Sequence, residues 1–311
     1  MAIRVEKPPV ALIAGPTASG KSALALRLAE QTRGVIVNAD SAQIYRDLPI
    51  LSAAPGPGER SRAEHRLYGV LDGEQPCSAA DWAAMARKQI YDVHASGRLP
   101  ILVGGTGLYL RTLLDGIAPV PAIDADLRRK VRETAVEENR RKLAVLDAEA
   151  AARLKPTDTT RIARALEVVL STGRTLVEWQ KERNGGIAEA MDLKPLILLP
   201  PRDWLYRRCD ERFGDMIELG AADEVRTLLD RGLDPALPVM RAIGVREIAA
   251  WLSGDVTREQ AVAAGQQGTR RYAKRQYTWF AHQPPESWPR YREPLEQGQL
   301  AEPLALLGAR P

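Results

Sequence analysis

The feature of this sequence that most constrains its fold is a glycine-rich loop between a short apolar run and a helix-forming segment. Residues 10–14 (VALIA) are apolar, and residues 15–22 (GPTASGKS) match the P-loop pattern G-x-x-x-x-G-K-[ST]. Residues 23–30 (ALALRLAE) are helix formers throughout. A turn that merely connects a strand to a helix is the alternative, but a P-loop requires this context and the match favours phosphate binding.

The chemistry of such a loop is specific. Its glycines let backbone N–H groups turn towards phosphate oxygens, and the dipole of the following helix adds positive potential. Lys21 supplies a full charge, and the hydroxyl of Ser22 is a candidate ligand for Mg²⁺. The predicted di- or triphosphate site comprises Gly15, Pro16, Thr17, Ala18, Ser19, Gly20, Lys21 and Ser22.

Further apolar runs predict more strands of the same sheet. Residues 35–37 (VIV) precede Asn-Ala-Asp, which ends at Asp40, and residues 101–103 (ILV) precede a Gly-Gly-Thr-Gly loop that contains Thr106. Residues 195–201 (PLILLPP) predict another buried strand. We therefore expect an α/β fold, with a P-loop NTPase-like core in which helices flank a parallel sheet and functional loops follow the strands.

An insertion interrupts this core. From residue 124 to about residue 182 the pattern is wholly helical and rich in Arg, Lys and Glu, and Asn-Gly-Gly at 184–186 ends it. The final segment, after Pro285, has little periodicity, so we expect a loosely attached tail. The predicted domains are a P-loop core of residues 1–120 and 192–311 and an all-helical insertion of residues 121–191.

Composition excludes several classes of protein. The hydrophobic fraction of 45% and the charged fraction of 27% are those of a globular protein. The apolar runs fall far short of the ~20 residues of a membrane-spanning helix. No cleavage site follows the N-terminal apolar patch, so we expect a cytoplasmic protein. We also expect it to be a monomer. Neither the two cysteines, Cys77 and Cys209, nor the three histidines have the spacing of a metal site, and we interpret the cysteines as structural thiols.

Asp40 is the carboxylate that best fits a chemical role. It follows a short apolar strand near the P-loop in sequence, where it could bind a metal ion, act as a general base, or only cap the next helix. The strand that ends at Val103 lacks the acid with which many ATPases hold Mg²⁺. These residues alone do not decide which phosphate compound the loop binds.

Basic and aromatic residues alternate near the C-terminal end. They offer phosphate contacts and stacking surfaces for unpaired bases, which favours RNA as a partner. An amphipathic helix with aromatic residues in the core is the alternative. The residues concerned are Arg270, Arg271, Tyr272, Lys274, Arg275, Tyr277, Trp279 and Phe280.

Six ordered blocks resemble the tRNA dimethylallyltransferases, also called the IPP transferase family: GPTASGKS, NADSAQIYR, LVGGTGLYLR, TRIARALEV, RAIGVRE and KRQYTW. The resemblance covers about residues 10–281. It implies that dimethylallyl diphosphate, and not ATP, binds the P-loop, and that N6 of the adenosine 3′ of the anticodon attacks the allylic carbon. The products are N6-dimethylallyladenosine and diphosphate, and Mg²⁺ assists the departing diphosphate.

The same resemblance assigns roles to individual residues. Asp40 is the general base towards N6, Thr106 contacts tRNA near the reacting centre, and Arg208 or Arg212 helps to hold the diphosphate. The insertion grips the anticodon stem-loop. The implied tRNA contacts are Asp40, Ser41, Ala42, Gln43, Thr106, Arg128, Thr160, Arg161, Ile162, Ala163, Arg164, Arg241, Ala242, Ile243, Gly244, Val245, Arg246, Lys274, Arg275, Gln276, Tyr277, Thr278, Trp279, Phe280 and Ala281.

The chain also departs from the family pattern. The usual DIGTAKP is PILSAAP at residues 49–55, PHHL is EHRL at 64–67, QRI is TRI at 160–162, RCVGYRQ is RAIGVRE at 241–247, and Ala281 replaces an arginine. Contacts with tRNA at these positions stay open. Two other functions share the P-loop: a small-molecule kinase, which leaves the basic aromatic segment unexplained, and a non-catalytic RNA-binding module switched by a nucleotide.

Overall fold

The computed structural model describes residues 7–295 and 300–308. Within these residues, six strands form one sheet: β1 (Pro9–Ala14), β2 (Val35–Asn38), β3 (Glu64–Arg66), β4 (Pro100–Gly104), β5 (Asp192–Leu198) and β6 (Arg290–Tyr291). The order is β3-β2-β4-β1-β5-β6, and all neighbouring strands are parallel. The predicted α/β fold with a parallel sheet is confirmed.

Helices follow most of the strands. Two short 3₁₀ turns, Ala188–Ala190 and Val239–Arg241, are also present. In chain order the α-helices are α1 (Lys21–Thr32), α2 (Pro57–Arg62), α3 (Ala79–Ala95), α4 (Gly107–Asp115), α5 (Ala125–Glu133), α6 (Val136–Leu146), α7 (Ala148–Arg153), α8 (Thr159–Thr172), α9 (Leu176–Gln180), α10 (Arg202–Glu218), α11 (Ala221–Asp230), α12 (Val245–Leu252), α13 (Arg258–His282) and α14 (Ala301–Leu306).

The sheet brings three loops to one edge. Strand β1 lies between β4 and β5, and its last residue, Ala14, is in register with Gly104 of β4. Strand β2 pairs with the other side of β4, where Asn38 is in register with Val103. Because these strands are parallel, the loops that follow β1, β2 and β4 emerge side by side. This edge carries the P-loop, Asp40 and Thr106.

Local sequence explains the ends of the helices. Helix α3 begins at a capping box, in which the Asp81 N–H donates to Ser78 Oγ and the Ser78 N–H donates to the Asp81 carboxylate. Such a cap satisfies backbone donors that have no partner within the helix. On the inner face of α3, Trp82 and Ile90 are fully buried in the main core.

Where the structure describes it, at residues 286–295 and 300–308, the C-terminal segment is not a loosely attached tail, and that expectation was wrong. Strand β6 pairs with β5, so that Tyr291 is buried against the sheet. Leu295, Leu304 and Leu307 are buried in the same core cluster as the inner face of α1. A short strand and a few isolated apolar side chains bury enough surface to attach this segment to the core, although the sequence of the segment shows no periodicity.

The described contacts divide the chain into two compact units. One comprises Met1–Leu114 and Ile187–Pro311, and the other comprises Asp115–Gly186. The smaller unit contains α5 to α9 and has its own core around Leu143 and Leu166. Two hydrogen bonds of 3.0 Å between the backbones of Ile117 and Asn184 close its base. The sequence placed the limits at 121 and 191.

Candidate active site

The P-loop forms the turn between β1 and α1. Gly15 has φ +152°, and a Cβ at this position would lie 2.5 Å from the Leu198 carbonyl oxygen, so only glycine fits. The Lys21 ammonium turns back over the loop and donates to the Pro16 carbonyl oxygen at 2.6 Å. The hydroxyl of Ser19 is buried, and within the described chain it has no hydrogen-bond partner. A phosphate oxygen in the loop would give that hydroxyl a partner.

Two further charges act on Lys21. Burial lowers its pKa from 10.5 to about 8, the nearby Asp40 carboxylate opposes this shift, and Arg212 adds to it. An ammonium ion is stabilised by an anion and destabilised by loss of water. The environment of Lys21 therefore favours its charged form more strongly when a diphosphate is bound.

Only one of the two predicted arginines of α10 reaches the P-loop. Arg212 donates to the hydroxyl of Thr17, and burial lowers its pKa. Arg208 lies one helical turn earlier and is exposed, and its guanidinium stacks 4.8 Å from the ring centre of Trp204. The geometry thus favours Arg212 as the diphosphate ligand.

Asp40 follows β2 and is held by a tight turn. Its N–H donates to Asn38 Oδ1 at 2.8 Å, and its Oδ1 accepts from the Ala42 N–H at 2.9 Å. The Asn38 side chain also donates to the Leu67 carbonyl oxygen at 3.0 Å, which fixes the turn to the core. In the described chain no hydrogen bond reaches Asp40 Oδ2, so this oxygen is available to accept a proton.

Thr106 follows β4 and lies beside the Asp40 turn. Its Oγ1 accepts from the Ser41 N–H at 3.0 Å, and its own N–H donates to the Ala39 carbonyl oxygen at 3.2 Å. The phenol of Tyr272 also interacts with the Thr106 side chain. Burial, and then the charge of Asp40, raise the pKa of Tyr272, so the phenol stays protonated.

A cavity of about 310 Å³ lies next to these groups, and its wall includes Thr17, Asp40 and Arg212. Its other side is apolar and belongs to the main hydrophobic core. A hydrocarbon chain and a charged group can therefore share this one cavity. The apolar lining residues include Tyr45, Leu48, Leu51, Tyr109, Phe213 and Met216.

The segment of residues 241–246 borders this cavity. Arg241, Ala242 and Ile243 line it. Gly244 caps the N-terminus of α12 with φ +98°, Val245 is buried, and Arg246 is exposed. Of the predicted tRNA contacts here, the first three adjoin the cavity.

Gln43 lies beside the Asp40 turn and donates to the carbonyl oxygens of Ser52 and Ala53 at 3.0 and 2.7 Å.

The C-terminal half of α13 presents two faces. Lys274, Arg275 and Thr278 are exposed, and Arg275 also lines the cavity. Tyr277, Trp279 and Ala281 are half-buried, whereas Gln276 and Phe280 are buried. The exposed face offers cations to a polyanion, and the opposite face packs inside the larger unit. The amphipathic interpretation therefore describes this helix, and RNA binding by its exposed face stays a prediction.

Within the smaller unit, the predicted tRNA contacts also divide into exposed and buried residues. Thr160 and Arg161 are exposed, while Ile162 and Ala163 belong to the core of this unit. Arg164 and Arg128 both approach Glu167, with nitrogen–oxygen distances of 3.7 and 3.8 Å. Arg132 donates to the other oxygen of this fully buried carboxylate at 2.9 Å. Three arginines surround one carboxylate, which leaves an excess of positive charge.

The donor set for a metal ion is sparse. Among the described residues, no group of three His, Cys, Asp or Glu side chains could hold one. The exposed hydroxyl of Ser22, in the first turn of α1, is the oxygen nearest to the P-loop lysine in sequence. Mg²⁺ commonly takes one or two protein oxygens and completes its shell with phosphate and water oxygens. The residues present fit a metal ion that arrives with a diphosphate.

The cysteines lie closer to the site than the sequence suggested. Cys77 and Cys209 both line the cavity. Burial raises the pKa of Cys209 to about 11, and burial also raises the pKa of Cys77, whose sulfur accepts a hydrogen bond from the Tyr109 hydroxyl at 3.7 Å. Both thiols are therefore neutral near pH 7. A neutral thiol is a weak nucleophile, which agrees with structural roles.

Sequence reasoning missed the residues that shape the cavity. Leu51, Phe213 and Met216 are ordinary apolar residues in the sequence, and no motif marks them. Tyr272 was noticed only as a stacking residue of α13. Its place on α13, four residues from Gln276 and eight from Phe280, was the available signal, because those side chains face the interior.

The sequence and the fold of this chain are both similar to those of known proteins. A family model described as IPP transferase matches residues 43–283. The chain is 60% identical over 290 residues to the tRNA dimethylallyltransferase of Erythrobacter litoralis, with 92% of each chain covered. It is 61% identical over 287 residues to that of Sphingopyxis alaskensis, with 92% of this chain and 94% of the relative covered.

The fold of this chain is also similar to the folds of solved transferase structures. The full-length tRNA isopentenylpyrophosphate transferase of Bacillus halodurans has a TM-score of 0.69 and 30% identity, with 97% of each chain covered. A eukaryotic dimethylallyltransferase described as acting on tRNA has a TM-score of 0.77 and 29% identity, with 88% of this chain and 69% of that chain covered. In the described residues, no helix is long and apolar enough to span a membrane.

Proposed function

This chain belongs to the IPP transferase family of tRNA dimethylallyltransferases, and from that premise we propose its reaction in detail. The dimethylallyl group of dimethylallyl diphosphate moves to N6 of the adenosine that follows the anticodon. The products are N6-dimethylallyladenosine in the tRNA and free diphosphate. We place this reaction in the cytoplasm, and we propose that the protein acts as a monomer.

One observation carries the proposal. The same cavity is bounded by a P-loop residue, Thr17, by the carboxylate of Asp40 and by apolar side chains such as Leu48 and Phe213. A prenyl diphosphate combines an anionic head with a hydrocarbon tail, and this combination matches the wall. A nucleoside triphosphate has no hydrocarbon tail for the apolar side.

The diphosphate is held where negative charge develops. The backbone N–H groups of the P-loop, the ammonium of Lys21 and the guanidinium of Arg212 all contribute positive potential there. As the bond between the allylic carbon and oxygen breaks, its electron pair leaves with the diphosphate. Groups that are already oriented stabilise that charge without reorganising, which is the main source of acceleration in such reactions.

Asp40 receives the proton. The lone pair of N6 forms the new bond to the allylic carbon, and the extra proton on nitrogen passes to a carboxylate oxygen of Asp40. Oδ1 is engaged by the Ala42 N–H, so we assign Oδ2 to this step. A positioned base of this kind contributes roughly 10²–10⁴ in rate.

The Ser22 hydroxyl would hold a Mg²⁺ ion beside the departing diphosphate in this proposal. When bound, Mg²⁺ would neutralise charge on that diphosphate. Lys21 and Arg212 neutralise the same charge from the protein side.

The tRNA must present a base that is normally stacked. We propose that the target adenosine is extruded into the cavity, close to Asp40, Ser41 and Thr106, as enzymes that modify bases require. The exposed cations Lys274 and Arg275 contact the anticodon loop, and Arg128, Arg161 and Arg164 of the smaller unit contact the phosphates of the stem. Phosphate contacts of this kind fix position without reading sequence.

The test supplies the protein with dimethylallyl diphosphate, Mg²⁺ and an unmodified tRNA that carries adenosine after the anticodon. Mass spectrometry of the digested tRNA should show one prenylated adenosine at that position. A parallel reaction with ATP and small-molecule acceptors separates the alternatives. Phosphate transfer without prenylation would indicate a kinase, and tight tRNA binding without either product would indicate a non-catalytic module.

A further inference from the structure

Helix α13 reaches into the P-loop through one side chain. Gln276 is 6% exposed and makes two hydrogen bonds to distant parts of the chain. Its Oε1 accepts from the Thr17 N–H at 2.8 Å, and its Nε2 donates to the Gly105 carbonyl oxygen at 2.8 Å. One amide group thus connects the loop after β1 with the loop after β4.

The surroundings of this amide leave it little freedom. A Cβ on Gly105 would lie 2.3 Å from Gln276 Nε2, so the absence of a side chain there lets the amide approach. On the other side of the loop, Arg212 donates to the Thr17 hydroxyl. Thr17 is therefore held from α13 through its backbone and from α10 through its side chain.

The amide of Gln276 is also occupied. Its carbonyl oxygen and its NH₂ group both have internal partners, and the side chain is buried. Lys274, Arg275 and Thr278, which flank it in sequence, are exposed. The resemblance of this segment to a family motif placed Gln276 among the tRNA contacts together with these neighbours, but its side chain points to the opposite side of the helix.

We propose that Gln276 is a positioning residue for the donor diphosphate and not a contact for tRNA. It fixes the Thr17 peptide and the Gly105 turn at a set separation, and so gives the P-loop its shape before the diphosphate arrives. This inference rests on the proposed function, because it takes the P-loop to be the diphosphate site. Loss of the amide leaves the partly buried Thr17 N–H and the buried Gly105 carbonyl oxygen without these partners, which favours a rearranged loop.

The test compares donor binding with tRNA binding in matched variants of α13. Gln276→Leu removes both hydrogen bonds at similar volume, and Lys274→Gln removes one exposed charge from the same turn. Calorimetry measures the Kd of dimethylallyl diphosphate with Mg²⁺ for each full-length variant, and filter binding measures the Kd of unmodified tRNA. Thermal melting shows whether each variant is folded.

We expect Gln276→Leu to weaken donor binding about tenfold, the equivalent of one lost buried hydrogen bond, and to leave tRNA affinity within twofold. Lys274→Gln should show the reverse pattern. Weakened tRNA binding with normal donor binding in Gln276→Leu would overturn the inference, and so would two unchanged Kd values in a folded protein. If the wild-type protein binds no donor, the proposed function itself fails.

A second variant covers the case in which Gln276→Leu does not fold. Gly105→Ala keeps the glutamine but places a methyl group against its Nε2. We expect it to weaken donor binding in the same direction while tRNA affinity stays within twofold. Unchanged donor binding in folded Gly105→Ala protein would contradict the proposed contact.

Discussion

The ammonium of Lys21 donates to the carbonyl oxygen of Pro16 over 2.6 Å, inside the loop that the lysine belongs to. Burial lowers the pKa of Lys21 to about 8, the charge of Asp40 opposes this shift, and Arg212 adds to it. A lysine with this pKa loses its charge as the pH rises through about 8. The affinity of the protein for a diphosphate therefore depends on this one proton.

We expect donor affinity to fall as pH rises through 8. Below that pH Lys21 is charged and the Kd of dimethylallyl diphosphate is constant; well above it, the Kd rises about tenfold per pH unit because binding requires uptake of a proton. Calorimetry from pH 6.5 to 9.5 measures this. In Lys21→Arg the guanidinium stays charged, so its Kd should not rise with pH. A flat profile in the wild type would contradict the role of Lys21.

The same shift has the opposite sign for folding. Between pH 8 and 10.5 the unfolded chain binds more protons at Lys21 than the folded chain does. The contribution of Lys21 to the free energy of unfolding therefore rises with pH across this window. A loss of donor binding above pH 8 thus cannot be explained by loss of the fold through Lys21.

Leu51 is expected to limit the length of the donor. It lines the cavity, and a Cβ on Gly244 would lie 2.7 Å from its Cδ1, so it fills the space beside α12. Leu51→Ala should raise the ratio of kcat/KM for geranyl diphosphate to that for dimethylallyl diphosphate at least tenfold. The reason is that the smaller side chain leaves room for the longer prenyl group of geranyl diphosphate. Leu228→Ala removes another buried leucine of the same core, one that does not line the cavity.

Both leucine variants are expected to lose about 2–5 kcal/mol of stability. Only Leu51→Ala should change the preference for donor length. An unchanged ratio of the two donors in Leu51→Ala, or an equal change in Leu228→Ala, would show that Leu51 does not set this preference.

Arg212 and Arg208 should differ sharply in their effect on the reaction. Arg212 donates to the Thr17 hydroxyl and lines the cavity, whereas Arg208 stacks on Trp204 and is exposed. We expect Arg212→Ala to lower kcat/KM for the donor roughly 10²–10³-fold, as removal of a group that stabilises the leaving charge does. Arg208→Ala should stay within threefold of wild type. Equal losses in steady-state kinetics would refute this assignment.

Glu167 is expected to stabilise the smaller unit. It is fully buried, and three arginines approach it. Glu167→Ala leaves those guanidinium groups close together without an anion, and should lower the free energy of unfolding of this unit by about 1–3 kcal/mol. Hydrogen exchange of residues 115–186 measures it. Glu138→Ala, which breaks an exposed pair with Lys142, should leave exchange unchanged. Normal protection in Glu167→Ala would contradict the role.

Local sequence patterns were enough to predict most of the fold. The P-loop, the capping box at Ser78 and the apolar strands were readable because each depends on residues that are neighbours in sequence. The C-terminal segment was misjudged because β6 has two residues, too few to show a period of two. Its attachment depends on burial of Tyr291 and Leu304 against distant partners.

The site was partly readable in the same sense. Asp40, Thr106 and Lys21 follow strands, and parallel strands bring their carboxyl ends together, so their proximity followed from topology. The choice between Arg208 and Arg212 did not follow from the topology, because it depends on how α10 is rotated about its own axis. Gln276 belongs to a stripe of buried residues on α13 with Thr269, Ala273 and Phe280, at helical spacing. That stripe was visible in the sequence, but the bond to Thr17 was not.

Single-turnover prenyl transfer by Asp40→Asn tests most directly the claim that Asp40 removes the proton from N6. The substitution keeps the Oδ1 acceptor for the Ala42 N–H but removes the basic oxygen. With enzyme, Mg²⁺ and donor in excess over tRNA, we expect the rate of prenylation to fall roughly 10²–10⁴-fold, while the Kd of tRNA stays within twofold of wild type. A single-turnover rate equal to that of the wild type would contradict the claim.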